Sequence, residues 1–235
     1  KTFPDIRESM ALALAHLYLR QEKYDEAVTP LEEAIAITGK RTDKARYAFI
    51  IAQIYNLAGR RNEAYAAFQR ALKFGPEYTM AFNGRLFLVE NGWRAGTYST
   101  PEARSELERM LRDIKNEEYQ DQIYYALAEI DLESGNRQEG IENLKKSVAL
   151  SRQNAQQKGE SYLRLANLYL EEEDFIPAQR YFDSTLMALP QSDERYAEAQ
   201  RWIYNLTDVA SNREVIAYRD SLLTVAALSP EDQQA

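Results

Sequence analysis

The chain has 235 residues, no cysteine, a single histidine (His16) and a formal net charge of −8. Without cysteine it forms no disulfide and binds no metal through sulfur, and one histidine cannot build a multi-histidine metal site. The acidic balance argues against a nucleic-acid binder, which needs a basic surface stripe. No apolar run approaches the ~18 residues that a membrane-spanning helix requires.

Short strings that end in a small residue recur along the chain at a nearly constant interval. In chain order, they end at Ala27, Ala64, Gly140 and Ala178. The intervals are 37, 76 and 38 residues, and 76 is two steps of 38, so we expect a further unit near Ala103. Regular spacing of this kind is typical of repeat proteins, in which each unit packs only against its neighbours.

Each unit contains the pattern of two amphipathic helices. In the second unit, which is the clearest, the patterned residues are Ile51, Ala52, Tyr55, Ala64, Phe68 and Ala71. Their spacings of three and four residues place them on one face of each helix. The small residues let the paired helices approach closely. Gly59 can end the first helix in a left-handed conformation, and Pro76 ends the second.

This pattern resembles the tetratricopeptide repeat, a helix–turn–helix unit of about 34 residues. The resemblance covers most of residues 8–190. It predicts an all-α fold, a right-handed superhelical solenoid of about five helix pairs in residues 1–190 with a C-terminal capping helix pair in residues 191–235. In that capping pair, a helix is expected over residues 192–206 and a second one over about 211–228, before a frayed tail.

Two stretches depart from the repeat pattern. The third pair, over about residues 79–116, has Arg85 at the usual leucine position, and a loop is predicted over residues 91–100, which contain Gly92 and Gly96. That loop is either a functional insertion or a consequence of a degenerate repeat, and we favour the degenerate repeat. The second departure is Pro30, because a proline inside a helix removes one hydrogen bond and bends the helix.

Several strings resemble one family of repeat proteins more closely. They are Tyr24–Leu31, Ala45–Tyr55, Phe74–Asn83, Asn205–Asp208, Asp220–Leu223 and Leu228–Glu231. Together they resemble the SprE/PorW family of tetratricopeptide lipoproteins from Bacteroidetes. The resemblance implies a component of the type IX secretion system, needed for protein export and gliding motility, on the periplasmic side of the outer membrane. Because this chain lacks the family's lipid-bearing cysteine, the resemblance implies a piece of a longer protein whose lipid anchor lies upstream.

In a stack of such repeats, the first helix of each pair lines the concave side, where a partner protein or peptide binds. From the repeat register, the candidate binding residues are Arg46, Phe49, Gln53, Asn56, Asn83, Phe87, Tyr125 and Glu129. Arg46, Gln53 and Asn83 can hold a peptide backbone or a carboxylate by directional hydrogen bonds. Phe49 and Tyr125 can serve as apolar anchors. The alternative is that Arg46 and Gln53 pair with neighbouring helices and that Phe49 packs in the core.

The sequence contains no glycine-rich phosphate loop, nucleophile elbow or metal-binding motif, so we expect no enzyme, no cofactor and no metal site. Three functions stay open. The first is a non-catalytic scaffold subunit of the secretion system that binds other proteins. The second is a generic peptide-binding or chaperone-adaptor module that uses the concave groove, and the third is a regulatory domain attached to an enzyme. The expected partners are proteins, with no nucleic acid and no membrane insertion by this chain.

Overall fold

The structure, a computed structural model, describes residues 3–207 together with Arg219 and Leu223. The chain divides into two compact units, Lys1–Asn136 and Arg137–Ala235. Every secondary-structure element among the described residues is helical, which confirms the all-α fold class. No helix in this part of the chain combines the length and the apolarity that crossing a membrane demands.

The first unit is a row of helices, each packed against the next in chain order. They are α1 (Pro4–Arg20), α2 (Tyr24–Ile37), α3 (Arg41–Leu57), α4 (Arg61–Lys73), α5 (Tyr78–Arg94), α6 (Thr100–Arg112) and α7 (Gln120–Glu133), with a short 3-10 helix, Ile114–Tyr119, before α7. The links from α1 to α6 are three to five residues long. Links this short make neighbouring helices antiparallel, as the repeat pattern predicts.

The recurring small residues of the first unit lie inside its core. The fully buried ones are Ala27, Ala52, Ala64 and Ala103. Fully buried large side chains, such as Phe68 and Leu107, occupy the same core. The small residues leave room for close helix packing, and the large ones fill the space between helices. α2 continues through Pro30, whose ring is buried in this core.

The loop predicted over residues 91–100 is wrong in its first part, because α5 continues to Arg94. Gly92 is therefore a helical residue. A Cβ atom at Gly92 would stand 2.7–2.9 Å from ring atoms of Tyr98 and Tyr65, so this glycine allows two aromatic rings to lie close to α5. The link itself is residues 95–99, where Gly96 takes a left-handed conformation with φ of +75°.

The second unit contains α8 (Arg137–Leu150), α9 (Ala155–Glu171), α10 (Phe175–Ala188) and α11 (residues 194–207). α11 confirms the helix predicted over residues 192–206. Its Trp202 stacks on the fully buried Phe182 of α10, with 6.2 Å between the ring centres. The predicted second capping helix and tail lie outside the described residues, apart from Arg219 and Leu223.

Candidate functional site

A cavity of about 520 Å³ opens between α3 and α5 in the first unit. From α3, its lining includes Thr42, Asp43, Arg46 and Phe49. From the α4–α5 link and α5, it includes Pro76, Glu77, Thr79, Met80 and Asn83. Three of the candidate binding residues, Arg46, Phe49 and Asn83, thus line one cavity, whose volume falls in the range of known ligand sites.

The first turn of α3 is tied to the end of α4. The Arg41 guanidinium donates to the backbone carbonyls of Phe74, at 3.3 Å, and Lys73, at 2.9 Å. These carbonyls lie at the C-terminus of α4, where acceptors have no partner within the helix. The two hydrogen bonds hold the α4–α5 link beside α3, and Pro76 and Glu77 of that link form one wall of the cavity.

Arg46 gives the cavity a positive charge. Its side chain is 56% exposed, lies 3.8 Å from Asp43 and stands over the ring of Tyr47, with 5.3 Å to the ring centre. Both neighbours are on α3, so these contacts do not link Arg46 to another helix. An exposed ion pair of this length contributes little free energy, and the guanidinium can therefore turn toward a ligand at small cost.

Tyr47, directly after Arg46, is buried in the core. Burial raises the pKa of the Tyr47 hydroxyl, which therefore stays neutral and donates to Glu8 at 3.0 Å. This bond links α3 to α1 and fixes the backbone that carries Arg46.

Phe49 belongs to both the cavity and the core. It is half-buried and meets Phe68 edge-on, with 5.4 Å between the ring centres. The ring also lies 3.7 Å from the point where a Cβ atom of Gly84 would stand. Phe49 therefore packs partly in the core, as the alternative interpretation expects, and it also lines the cavity. Binding through this residue stays a prediction. Because replacing Phe49 would disturb packing, it is a poor single probe of binding.

The α5 side of the cavity presents an amide and a thioether. The Asn83 side-chain amide donates to the carbonyl of Thr79, one turn earlier on α5, at 2.9 Å. The Thr79 hydroxyl in turn lies 3.1 Å from the hydroxyl of Tyr119. Met80 adds a flexible apolar side chain of the kind that adapts to different ligands.

Two other candidate residues have a packing role. Asn56, at the end of α3, accepts a hydrogen bond from Arg61 at 2.6 Å. Phe87 stacks on Phe68, with 5.4 Å between the ring centres. Neither lines the cavity.

The last three candidates also lie outside the cavity lining. Gln53 is exposed on α3, and Tyr125 and Glu129 are half-buried on α7. The repeat register missed the lining residues that are not on the inner face of a first helix, chiefly Pro76 and Glu77. Residues of a link have no helical period, so the register contains no signal for them.

Glu90 is the most perturbed carboxyl near these helices. It follows Gln53 by 37 residues and is half-buried, and its desolvation raises its pKa to about 7. The nearby Arg94 opposes this shift and Glu129 adds to it. Arg94 also donates to Glu133 at 2.7 Å.

The cavity combines one guanidinium, two carboxylates, an amide and an apolar floor, an arrangement suited to hydrogen bonding with a peptide segment. Its lining includes no histidine, cysteine or lysine. Across the described ranges, no group of three or more histidine, cysteine, aspartate or glutamate side chains is placed to hold a metal ion.

Residues 7–76 and residues 121–154 each match a family model of the tetratricopeptide repeat, so the chain contains tetratricopeptide repeats in these ranges. No curated protein matches the chain.

Solved structures share the fold. A Rap protein complexed with Competence and Sporulation Factor is 15% identical, with a TM-score of 0.67, over 95% of this chain and 69% of its own. PilF from Pseudomonas aeruginosa is 19% identical, with a TM-score of 0.53, over 98% and 96%. A thermophilic tetratricopeptide-repeat protein from Thermus thermophilus is 18% identical, with a TM-score of 0.59, over 84% and 99%. Similarity at this level establishes the fold alone.

Proposed function

We propose that this chain, which carries tetratricopeptide repeats over residues 7–76 and 121–154, is a non-catalytic scaffold that binds other proteins. A segment of the partner enters the cavity between α3 and α5. One observation carries this proposal: residues selected by the repeat register, Arg46, Phe49 and Asn83, converge on one open cavity with a charged rim and an apolar floor.

The chemistry of the rim suits a stretch of extended polypeptide. Asp43 and Glu77 accept hydrogen bonds, Arg46 donates them, and the amide of Asn83 can do both. An extended backbone offers donors and acceptors in alternation. Phe49 and Met80 provide an apolar surface for one side chain of the segment.

The test is a pull-down from cell-envelope extracts with the Arg46→Ala/Asn83→Ala double variant. Both side chains make only weak or local contacts, to Asp43, the Tyr47 ring and the Thr79 carbonyl, so the variant should keep its helical circular dichroism. We expect it to capture about tenfold less partner than the parent chain, a loss typical of removing two interface contacts.

A matched control replaces the same residue types away from the cavity. Arg109→Ala/Asn62→Ala removes an exposed arginine that is paired within its own helix, with Glu106, and an exposed asparagine. The control should capture as much partner as the parent chain. If the cavity variant is folded and still captures partner normally, the partner binds elsewhere on the chain.

The scaffold is further proposed to serve the type IX secretion system on the periplasmic side of the outer membrane. This finer proposal is supported by the resemblance of Tyr24–Leu31, Ala45–Tyr55 and Phe74–Asn83 to the SprE/PorW family. Two of these strings, Ala45–Tyr55 and Phe74–Asn83, contain most of the cavity lining. Deleting the gene should stop type IX export and gliding, and the cavity variant should fail to restore them. Intact export in the deletion strain would remove this assignment and leave the scaffold proposal standing.

A second candidate function is a peptide-binding or chaperone-adaptor module. The size of the cavity favours it, because about 520 Å³ lies within the range of sites that bind small ligands. Titration with short extended peptides derived from the captured partner separates the two functions. Tight binding of a short peptide supports the module, whereas binding of the folded partner alone supports the scaffold.

A further inference from the structure

An apolar row runs along one face of α1. Its members are Ile6, Met10, Leu14 and Leu17 of α1 together with Phe3, the residue just before the helix, each between 42% and 73% exposed. They follow one another at steps of three and four residues, which places them on one side of the helix. We call this row the α1 face. Contiguous exposed apolar surface of this kind marks a contact site in most proteins.

The same positions are buried in the next repeat. The equivalent positions in α3, 37 residues further along the chain than Met10, Leu14 and Leu17, are Tyr47, Ile51 and Ile54. Those three side chains are at most 3% exposed and share one core cluster with residues of α1 and α2. In α3, the preceding helix pair covers this face.

Two later helices repeat the arrangement. In α7 the equivalent residues are Ile123, Leu127 and Ile130, at most 3% exposed, in one core cluster with residues of α5 and α6. In α9 they are Ser161, Leu165 and Leu168, at most 2% exposed. The Ser161 hydroxyl is hydrogen-bonded to Ser147 of α8 at 2.8 Å. In α3, α7 and α9, then, the same three positions are buried.

We propose that the α1 face is covered by a further helix pair of the same repeat kind, which precedes α1 in the same polypeptide. The end of a helical-repeat array normally presents a polar outer face to water. The α1 face is apolar instead, as the equivalent positions of α3 and α7 are. Residues 38–40 link α2 to α3 and residues 74–77 link α4 to α5, so a link of three or four residues is enough to place a helix pair on the next helix.

The size of the face favours a covalently attached occupant. A helix of 17 residues is about 25 Å long and about 10 Å wide. One such face offers far less than the roughly 1,200 Å² that a stable complex between separate chains buries. A segment on the same polypeptide needs no large interface, because its effective concentration beside the face is in the millimolar range.

The absence of cysteine from this chain provides a direct test. Leu14→Cys is introduced into the natural full-length protein and into the 235-residue chain, with any cysteines of the full-length protein replaced by serine. The rate of labelling by a maleimide is then measured in both. Ile114→Cys, at a residue that is 82% exposed and outside the α1 face, serves as the matched control. Met10→Cys repeats the measurement should Leu14→Cys fold poorly.

We expect labelling of Leu14→Cys to be at least about tenfold slower in the full-length protein, at every protein concentration, with the control labelled equally fast in both. Equal labelling of Leu14→Cys in the two proteins overturns the proposal. Protection that disappears on dilution assigns the face to a second copy, and protection that requires another protein assigns it to a partner; either result also overturns it. The outcome is independent of the cavity between α3 and α5.

Discussion

In the second helix pair, α3 and α4, close packing is achieved by alanine. Ala52 and Ala64 are fully buried beside Phe68. The third pair, α5 and α6, keeps one buried alanine, Ala103, and adds polar contacts and a glycine. Trp93 of α5 donates to the Thr100 hydroxyl at the start of α6 at 3.1 Å, and Gly92 lets Tyr98 lie against α5. A helical hairpin can thus form where the repeat signature is weak, because directional contacts and a glycine supplement the one recurring small residue that is kept, Ala103.

The two pairs also differ in how their second helices begin. α4 begins after Arg60, which makes no capping hydrogen bond through its side chain. α6 begins after Ser99 in a capping box with Glu102. The third pair therefore adds local polar contacts to its buried apolar cluster, which includes Phe82, Leu86 and Leu107.

The largest expected effect is the loss of the apolar centre of the second pair. Phe68→Ala removes a fully buried ring that contacts both Phe49 and Phe87. We expect the free energy of unfolding to fall by about 3–5 kcal/mol, because a cavity remains in the core. Urea unfolding followed by circular dichroism measures this. Leu57→Ala, at a 71% exposed residue, is the control and should change it by less than about 0.5 kcal/mol.

The next largest effect concerns a polar bond that supports the third pair. The buried Asn116 accepts a hydrogen bond from the Tyr78 hydroxyl at 2.6 Å and donates to the Met110 carbonyl at 2.8 Å. Asn116→Ala removes both of these hydrogen bonds at a buried site and should cost about 2 kcal/mol, although the Met110 carbonyl still accepts from the Asp113 backbone N–H at 3.3 Å. Tyr78→Phe removes one of them and should cost about 1 kcal/mol. A double-mutant cycle should show coupling between the two residues. Strictly additive costs would mean that their hydrogen bond contributes nothing to stability.

The third prediction compares two equivalent positions, Gln53 in the second helix pair and Glu90 in the third. Because desolvation raises the pKa of Glu90 to about 7 from 4.5, the folded state binds the proton more tightly, and stability falls as pH rises from about 4.5 to about 7. Glu90→Gln should therefore stabilise the chain by about 1–2 kcal/mol at pH 8 and have almost no effect at pH 4.5. Arg94 and Arg61 oppose the shift, while Glu129 and Glu133 add to it.

Gln53→Glu is the matched control for this titration. Gln53 is exposed, so a carboxylate there stays hydrated and should change stability by less than about 0.5 kcal/mol at either pH. Urea midpoints measured between pH 4.5 and pH 8 give the comparison. A Glu90→Gln effect that does not vary with pH would show that the carboxyl titrates normally.

The smallest effect concerns the start of α6. The Ser99 hydroxyl and backbone N–H both donate to the Glu102 carboxylate, at 2.7 and 2.8 Å. Ser99→Ala should cost about 1 kcal/mol, as for other N-cap residues. Ser105→Ala, at an exposed position within the same helix, should be neutral or slightly stabilising. Equal thermal midpoints for the two variants would mean that the capping box does not contribute.

The helical hairpins could be predicted from sequence because the spacing of small and apolar residues along each helix shows which face of that helix is buried. Ala64, Phe68 and Ala71 of α4 stand at spacings of four and three residues, which indicate one buried helix face. The end of α5 could not be predicted in this way. Gly92 reads as a turn residue, and its actual role depends on rings contributed by Tyr65 and Tyr98, which lie elsewhere in the chain.

The candidate site was predictable in part for the same reason. The register placed Arg46, Phe49 and Asn83 on inner helix faces, and these residues do line one cavity. It also selected Asn56 and Phe87, which the structure uses for packing. The spacing of residues along a helix shows which face each residue occupies. It does not show which side chains of other helices that residue contacts.

By itself, the sequence determined the all-α class, the 37–38-residue step and the small residues that let helices pack, because these follow from spacing along single helices. Tertiary structure alone decided that the α4–α5 link lines a cavity beside α3 and that Glu90 is partly desolvated, which raises its pKa. It also decided that the apolar row of α1 stays exposed while its equivalents in α3, α7 and α9 are buried. These features depend on which distant segments come together, and no local pattern encodes that.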